Sequence, residues 1–94
     1  MEGKIRVHIF VSGRVQGVWF RENTQKKAQK LRVTGWIKNL VDGRVEAIFE
    51  GEREKIEEMI KWVSKGPFLA KVNGLDVEWQ EYKGEFENFG IRYD

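Results

Sequence analysis

Ile5, Val7, Ile9 and Val11 alternate with Lys4, Arg6, His8 and Phe10 near the start of the chain. A period of two places the aliphatic set on one face of a β-strand. The period then changes. Phe20, Thr24, Ala28 and Leu31 recur at steps of four, four and three, which predicts an amphipathic helix over about Glu22 to Leu31. Thr34 to Val41 reads as a second strand, and Val45, Ala47 and Phe49 alternate in a third. Asp42-Gly43 between them is a strong hairpin signal. Ile56, Met59, Ile60 and Val63 give the apolar face of a second helix, about Arg53 to Lys65. Glu52 and Glu54 suit the positive end of its dipole, and Gly66-Pro67 stops it. Leu75, Val77 and Trp79 alternate in a fourth strand; Phe89, Ile91 and Tyr93 alternate in a short fifth.

The order is β-α-β-β-α-β with a closing strand. Right-handed crossovers then put both helices on one face of an antiparallel sheet. That is an α+β fold, a ferredoxin-like sandwich, which does not by itself fix function. No linker, repeat or low-complexity stretch interrupts the pattern, and 94 residues make a single domain, 1–94.

Composition narrows the classes. There are no cysteines, which excludes a disulfide framework and a thiolate zinc site. Met1-Glu2-Gly3-Lys4 has no apolar leader and no run approaches a membrane span, so a cytoplasmic protein with no membrane partner is the expectation. Charge is uneven. Residues 1–32 carry eight Lys or Arg against two acids, whereas residues 33–94 carry nine against thirteen. The positive excess surrounds a glycine-bearing loop and can raise the local concentration of anions. For Lys26, Lys27, Lys30 and Arg32 a solvated helix face is the simpler account of the charge. Charged residues reach 34 % and crowd the second helix, which makes a thermophilic source an expectation.

Two positions break the local rules. The segment Gly13-Arg14-Val15-Gln16-Gly17-Val18-Trp19-Phe20-Arg21 joins the first strand to the first helix. Glycines four apart let a loop curl so that backbone N–H groups converge at a helix N-terminus, a ready anion site. The alternative is a tight turn in which glycine only supplies positive φ. Arg21 tips the balance, since a cation in a first helical turn opposes the dipole unless an anion sits between them. Asn39 is the second anomaly, because asparagine is depleted in strands. It either closes the nearby hairpin or offers its amide to a ligand as both donor and acceptor.

These blocks resemble the acylphosphatase family. The resemblance rests on Gly13-Arg-Val-Gln-Gly-Val-Trp-Phe-Arg21, on Gly35-Trp-Ile-Lys-Asn39 with Asp42-Gly43-Arg44-Val45-Glu46, and on Asn88-Phe89-Gly90-Ile91-Arg92-Tyr93. It implies a hydrolase that cleaves carboxyl-phosphate anhydrides without metal or other cofactor. It implies Arg21 as the phosphate-binding arginine and Asn39 as the water-orienting asparagine. It also implies a backbone phosphate cradle from Gly13, Arg14, Val15, Gln16, Gly17 and Val18, with Thr24 as a supporting residue that helps hold the asparagine. A small acyl phosphate is then the substrate, with inorganic phosphate or sulfate as competitive ligands and no nucleic-acid partner. A monomer is the default, although exposed sheet edges leave pairing open.

Other candidates carry less. His8, the single histidine, reads as structural or exposed. Glu52, Glu54, Glu57 and Glu58 lack the spacing of a calcium loop. Trp19 alone of the four tryptophans lies inside the loop, where it can line a substrate entrance. An RNA-binding module shares the fold but wants a pair of stacking aromatics on the central strands, and the third strand offers Arg44, Glu46, Ile48 and Glu50. A non-catalytic anion-binding domain would keep the cradle without needing both Arg21 and Asn39.

Overall fold

The computed structural model describes residues 3–94. Met1 and Glu2, part of the expected 1–94 domain and of its N-terminal stretch, lie outside the described residues. The opening alternation forms β1 (Lys4–Arg14), with Val7, Ile9 and Val11 buried. It runs antiparallel to β3 (Val45–Glu52) on one side and to β4 (Lys71–Gln80) on the other. β2 (Thr34–Asn39) pairs antiparallel with β3, and β5 (Phe89–Arg92) pairs with β2. The sheet order is β4-β1-β3-β2-β5. Two helices, α1 (Phe20–Leu31) and α2 (Arg53–Lys65), pack their apolar stripes on it. Phe20 and Ala28 of α1 meet Ile56, Met59 and Val63 of α2 in one core with Ile9, Ile37, Phe49 and Phe89. The ferredoxin-like sandwich read from the periodicity is the fold observed. No helix among the described residues is long and apolar enough to cross a membrane.

Three details differ from the expectation, each for a physical reason. β1 continues past Val11 through Arg14, because β4 stays paired with it beyond a register shift at Ser12/Gly13. At Gly13 (φ 124°) a Cβ would lie 2.1 Å from the Lys71 carbonyl oxygen and 2.8 Å from the Asn73 nitrogen. Glycine is required there by two backbones in close approach at a bulge. α1 begins at Phe20, two residues early, because Trp19 takes a left-handed conformation (φ 61°) and its carbonyl accepts from the Asn23 backbone and side chain. The sheet is not antiparallel throughout, since β5 runs parallel to β2. A strand entered from the end of β4 must point against β4, hence along β1 and β2.

That return crosses from one sheet edge to the other through residues 81–88, and a buried carboxylate fastens it. Glu50 on β3 is fully buried. Its oxygens accept from the Lys83 and Glu85 backbone N–H groups at 3.0 and 3.1 Å and from the Arg6 guanidinium at 3.1 Å. Arg6 also donates to Gln80 at 3.0 Å and to Glu85 at 2.7 Å. Burial works against the Arg6 charge, but the hydrogen bonds to Glu85 and then Glu50 outweigh it and hold its pKa above the ordinary arginine value. The charges of α2 are more loosely engaged. Among the described residues they form Arg53–Glu57 at 4.0 Å and Lys27–Glu58 at 3.7 Å, and exposed pairs contribute about 0–1 kcal/mol each.

Acid should loosen this return. The hydrogen bond from Arg6 pulls Glu85 below its ordinary value of 4.5, and in the β2–β3 hairpin the Arg44 backbone N–H holds Asp42 below its own ordinary value of 3.8. The unfolded chain therefore binds more protons in that range, so stability rises with pH there. The contribution is complete above 4.5 and is lost as pH falls through the depressed native value. Denaturant unfolding measured across acid pH should show this fall, and Glu85→Gln should make it shallower.

Candidate active site

β1, β2, β5 and α1 bring their site-bearing ends to the same edge of the sandwich. β1 and β2 finish there, and α1 starts there. The segment 15–19 makes the turn from β1 into α1, with Gly17 at φ 75° where a side chain would be strained. Between this turn and the end of β2 lies a cleft of about 190 Å³, lined by Val15, Gly17, Trp19, Phe20, Arg21, Glu22 and Asn39. The fold thus brings Arg21 and Asn39, eighteen residues apart in sequence, to one small opening.

The electrostatics of the cleft favour an anion. The first backbone bond of α1 is from the Asn23 N–H to the Trp19 carbonyl, and no side chain caps the N-terminus. The N–H groups of Phe20, Arg21 and Glu22 therefore have no partner within the helix. They carry the positive end of the helix dipole at the cleft wall. Arg21 forms no ion pair among the described residues; its guanidinium lies 5.0 Å from the Tyr93 ring centroid. A cation over an aromatic face gains roughly 0.5–1 kcal/mol at an exposed site and keeps its N–H fork free. Asn39 contributes the opposite character. Its Oδ1 is buried and lacks a hydrogen-bond partner among the described residues. Leaving a buried acceptor unsatisfied costs about 1–3 kcal/mol, so this atom is a place where a donor gains.

The remaining expected site residues are distributed more unevenly. Val15 and Gly17 line the cleft. Gly13 and Arg14 belong to β1, where Gly13 answers to β4 and Arg14 is exposed. Val18 is a core side chain. Gln16 turns its side chain to the β2–β3 hairpin, donating to the Leu40 and Arg44 carbonyls at 2.8 and 2.9 Å. Thr24 is fully buried, and its hydroxyl donates to the Phe20 carbonyl at 2.7 Å; it makes no hydrogen bond to Asn39 among the described residues. Any support it gives acts through the first turn of α1. His8 pairs with Glu46 at 2.6 Å, in a β1–β3 pair outside the cleft lining. Trp19 does sit at the cleft, 62 % exposed.

Phe20, Glu22 and Tyr93 are neighbours of the site that the sequence reading did not single out. Tyr93 had a usable signal. It shares the parity of Phe89 and Ile91, and the parallel register Ile37↔Ile91 continues toward Asn39 and Tyr93. Without the parallel pairing, that parity says only that Tyr93 faces the helices. No group of three or more His, Cys, Asp or Glu among the described residues could hold a metal ion.

A sandwich of this kind, with an uncapped helix end, an arginine and an orphan amide around one cleft, defines a small domain that handles a compact anion. Comparison with known proteins sharpens this. The acylphosphatase family model matches residues 7–91. An acylphosphatase of Pelotomaculum thermopropionicum is 50 % identical over 90 residues, covering 96 % of this chain and 98 % of that protein. Solved acylphosphatase structures agree. That from Coxiella burnetii superposes with a TM-score of 0.91 at 40 % identity, covering 97 % of this chain and 95 % of its own. That from Bacillus subtilis gives 0.91 at 36 % identity, covering 95 % and 99 %. The chain belongs to the acylphosphatase family. Its activity is that of this hydrolase class.

A cleft built from backbone N–H groups exists only in the folded state, so a ligand for it should raise thermal stability. Inorganic phosphate or sulfate at a hundredfold excess over Kd should add roughly 2.7 kcal/mol. Thermal unfolding with titrated phosphate checks this. Arg21→Ala should remove most of the effect, and Lys26→Ala, on the exposed side of α1, should leave it intact.

Proposed function

We propose that this chain hydrolyses acyl phosphates to a carboxylate and inorganic phosphate, with Arg21 and the 15–19 turn binding the phosphoryl group and Asn39 orienting the attacking water. The observation that carries the reading is the unpartnered Asn39 Oδ1 in the same cleft as Arg21.

The chemistry suits so sparse a site. The leaving group of an acyl phosphate is a carboxylate, a weak base that departs without a proton. Neither a general acid nor a metal is then required, and phosphoryl transfer asks mainly for positioning and charge stabilisation. Arg21 and the free N–H groups neutralise the non-bridging oxygens, each charge-assisted hydrogen bond contributing about 1.5–3 kcal/mol. A water donates to Asn39 Oδ1 and turns its lone pair to phosphorus. The new P–O bond forms as the bond to the acyl oxygen breaks, and the electron pair leaves with the carboxylate. An amide is a poor base, so the water's proton passes to a phosphoryl oxygen, giving inorganic phosphate.

Two rival readings meet specific obstacles. An RNA-stacking face is hindered on the open side of β1 and β3, where Phe10 lies beneath Arg44 with its ring centroid 4.7 Å away and Glu50 is covered by the 81–88 return. A purely anion-binding domain gains nothing from an orphaned acceptor beside the anion.

The test is phosphate release from a panel of acyl, aryl and alkyl phosphates, with and without chelator. Acyl phosphates should be hydrolysed at an unchanged rate in chelator. Loss of activity in chelator, restored by a divalent ion, overturns the metal-free mechanism. The two polar residues should separate kinetically. Arg21→Ala should weaken phosphate inhibition and slow turnover. Asn39→Ala should lower kcat on the order of a hundredfold while leaving phosphate inhibition nearly unchanged.

A further inference from the structure

We propose that Gln16 is a positioning residue for this reaction: its side-chain amide fixes the phosphate-binding turn against the hairpin that carries Asn39. The inference rests on the function proposed above and adds a role that the backbone of Gln16 does not supply.

β1 and β2 are not neighbours, because β3 lies between them. Within the sheet, the turn that follows β1 and the hairpin that follows β2 would therefore register with each other only through a third strand. Gln16 bridges the gap directly. One amide group donates to two carbonyls, Leu40 at 2.8 Å and Arg44 at 2.9 Å. Leu40 follows Asn39, and Arg44 precedes Val45, the residue paired with Asn39. Gln16 itself sits between Val15 and Gly17, both at the cleft wall. The two hydrogen bonds thus span the short path from phosphate site to water-orienting amide.

The hairpin end of this bridge is itself firm. The Arg44 N–H donates to Asp42 Oδ1 at 3.0 Å, its Nε to Asp42 Oδ2 at 2.9 Å, and its guanidinium lies over Phe10. The carbonyls that Gln16 reaches also have other donors. Leu40 O accepts from the Gly43 N–H at 3.1 Å, and Arg44 O from the Leu40 N–H at 2.8 Å. Removing the Gln16 amide therefore orphans neither acceptor. The fold should tolerate the loss better than the reaction does. In-line attack needs phosphorus and water placed to within a fraction of an ångström, and a misplacement near 1 Å can cost about a hundredfold.

The experiment uses Gln16→Met, similar in length but without donors, with Gln16→Leu as a second uncharged variant that also loses the N–H pair. Each is assayed for kcat, KM and inhibition by inorganic phosphate, with its thermal midpoint. We expect kcat to fall about tenfold or more while the phosphate inhibition constant stays within about twofold. In an Asn39→Ala background the same substitution should have little further effect, because there is no oriented water left to misplace. Three results overturn the inference alone: kcat unchanged in a folded variant, phosphate binding lost in step with kcat, or an equal loss with and without Asn39. If both variants fail to fold, Gln16 is structural and the inference fails too. Absence of acyl phosphate hydrolysis by the unaltered protein overturns the function reading itself, and this inference with it.

Discussion

A carboxylate with no exposure to solvent holds residues 81–94 of this chain in place. Glu50 stands on β3 with two backbone N–H groups and one guanidinium around it. A buried charge is tolerated only when it is paired and its lone pairs are occupied. Here the partners come from β1 and from the 81–88 return, so neutralising the charge and routing the chain are one event. Removing one member of such a buried pair typically costs about 3–5 kcal/mol, a large share of the stability of a domain this small. The return determines where β5 arrives, and β5 determines what stands next to Arg21. The ion pair on one side of the sheet thus supports the cleft on the other through the backbone alone.

The elements with short-range patterns were legible in the sequence. β1, the hairpin and both helices carry periodicity over enough residues to declare themselves, and Gly66-Pro67 marked its stop correctly. Arg21 and Asn39 were legible for the opposite reason. Each sits where its type is locally unfavourable, and a conflict between residue and element is what a ligand site leaves in a sequence. Both residues line the same cleft.

What was hidden depends on partners distant in sequence. β5 has four residues. Its alternation shows a strand but cannot say which edge it joins or in which direction. Glu50 reads as an outward-facing polar residue until the return covers it. Gly13 and Gly17 look alike in a glycine-bearing loop, yet one makes room for β4 and the other turns the chain at the cleft. Gln16 was read for its backbone alone; its side chain gave no signal, because glutamine is at home in any loop and only the fold puts two carbonyls within its reach. The supporting role of Thr24 was implied by resemblance alone, and its hydroxyl donates to the Phe20 carbonyl of its own helix.

Late segments of the chain close on early ones in this fold. β1 pairs with β4, β2 pairs with β5, and Tyr93 reaches the helix that β1 introduces. Apart from the β2–β3 hairpin, each pairing in the sheet joins segments far apart in sequence, the kind of topology that folds slowly. On the ribosome the 15–19 turn therefore emerges well before β5, the strand that pairs with β2. Tyr93 takes its place beside Arg21 only once β5 has left the exit tunnel and joined β2.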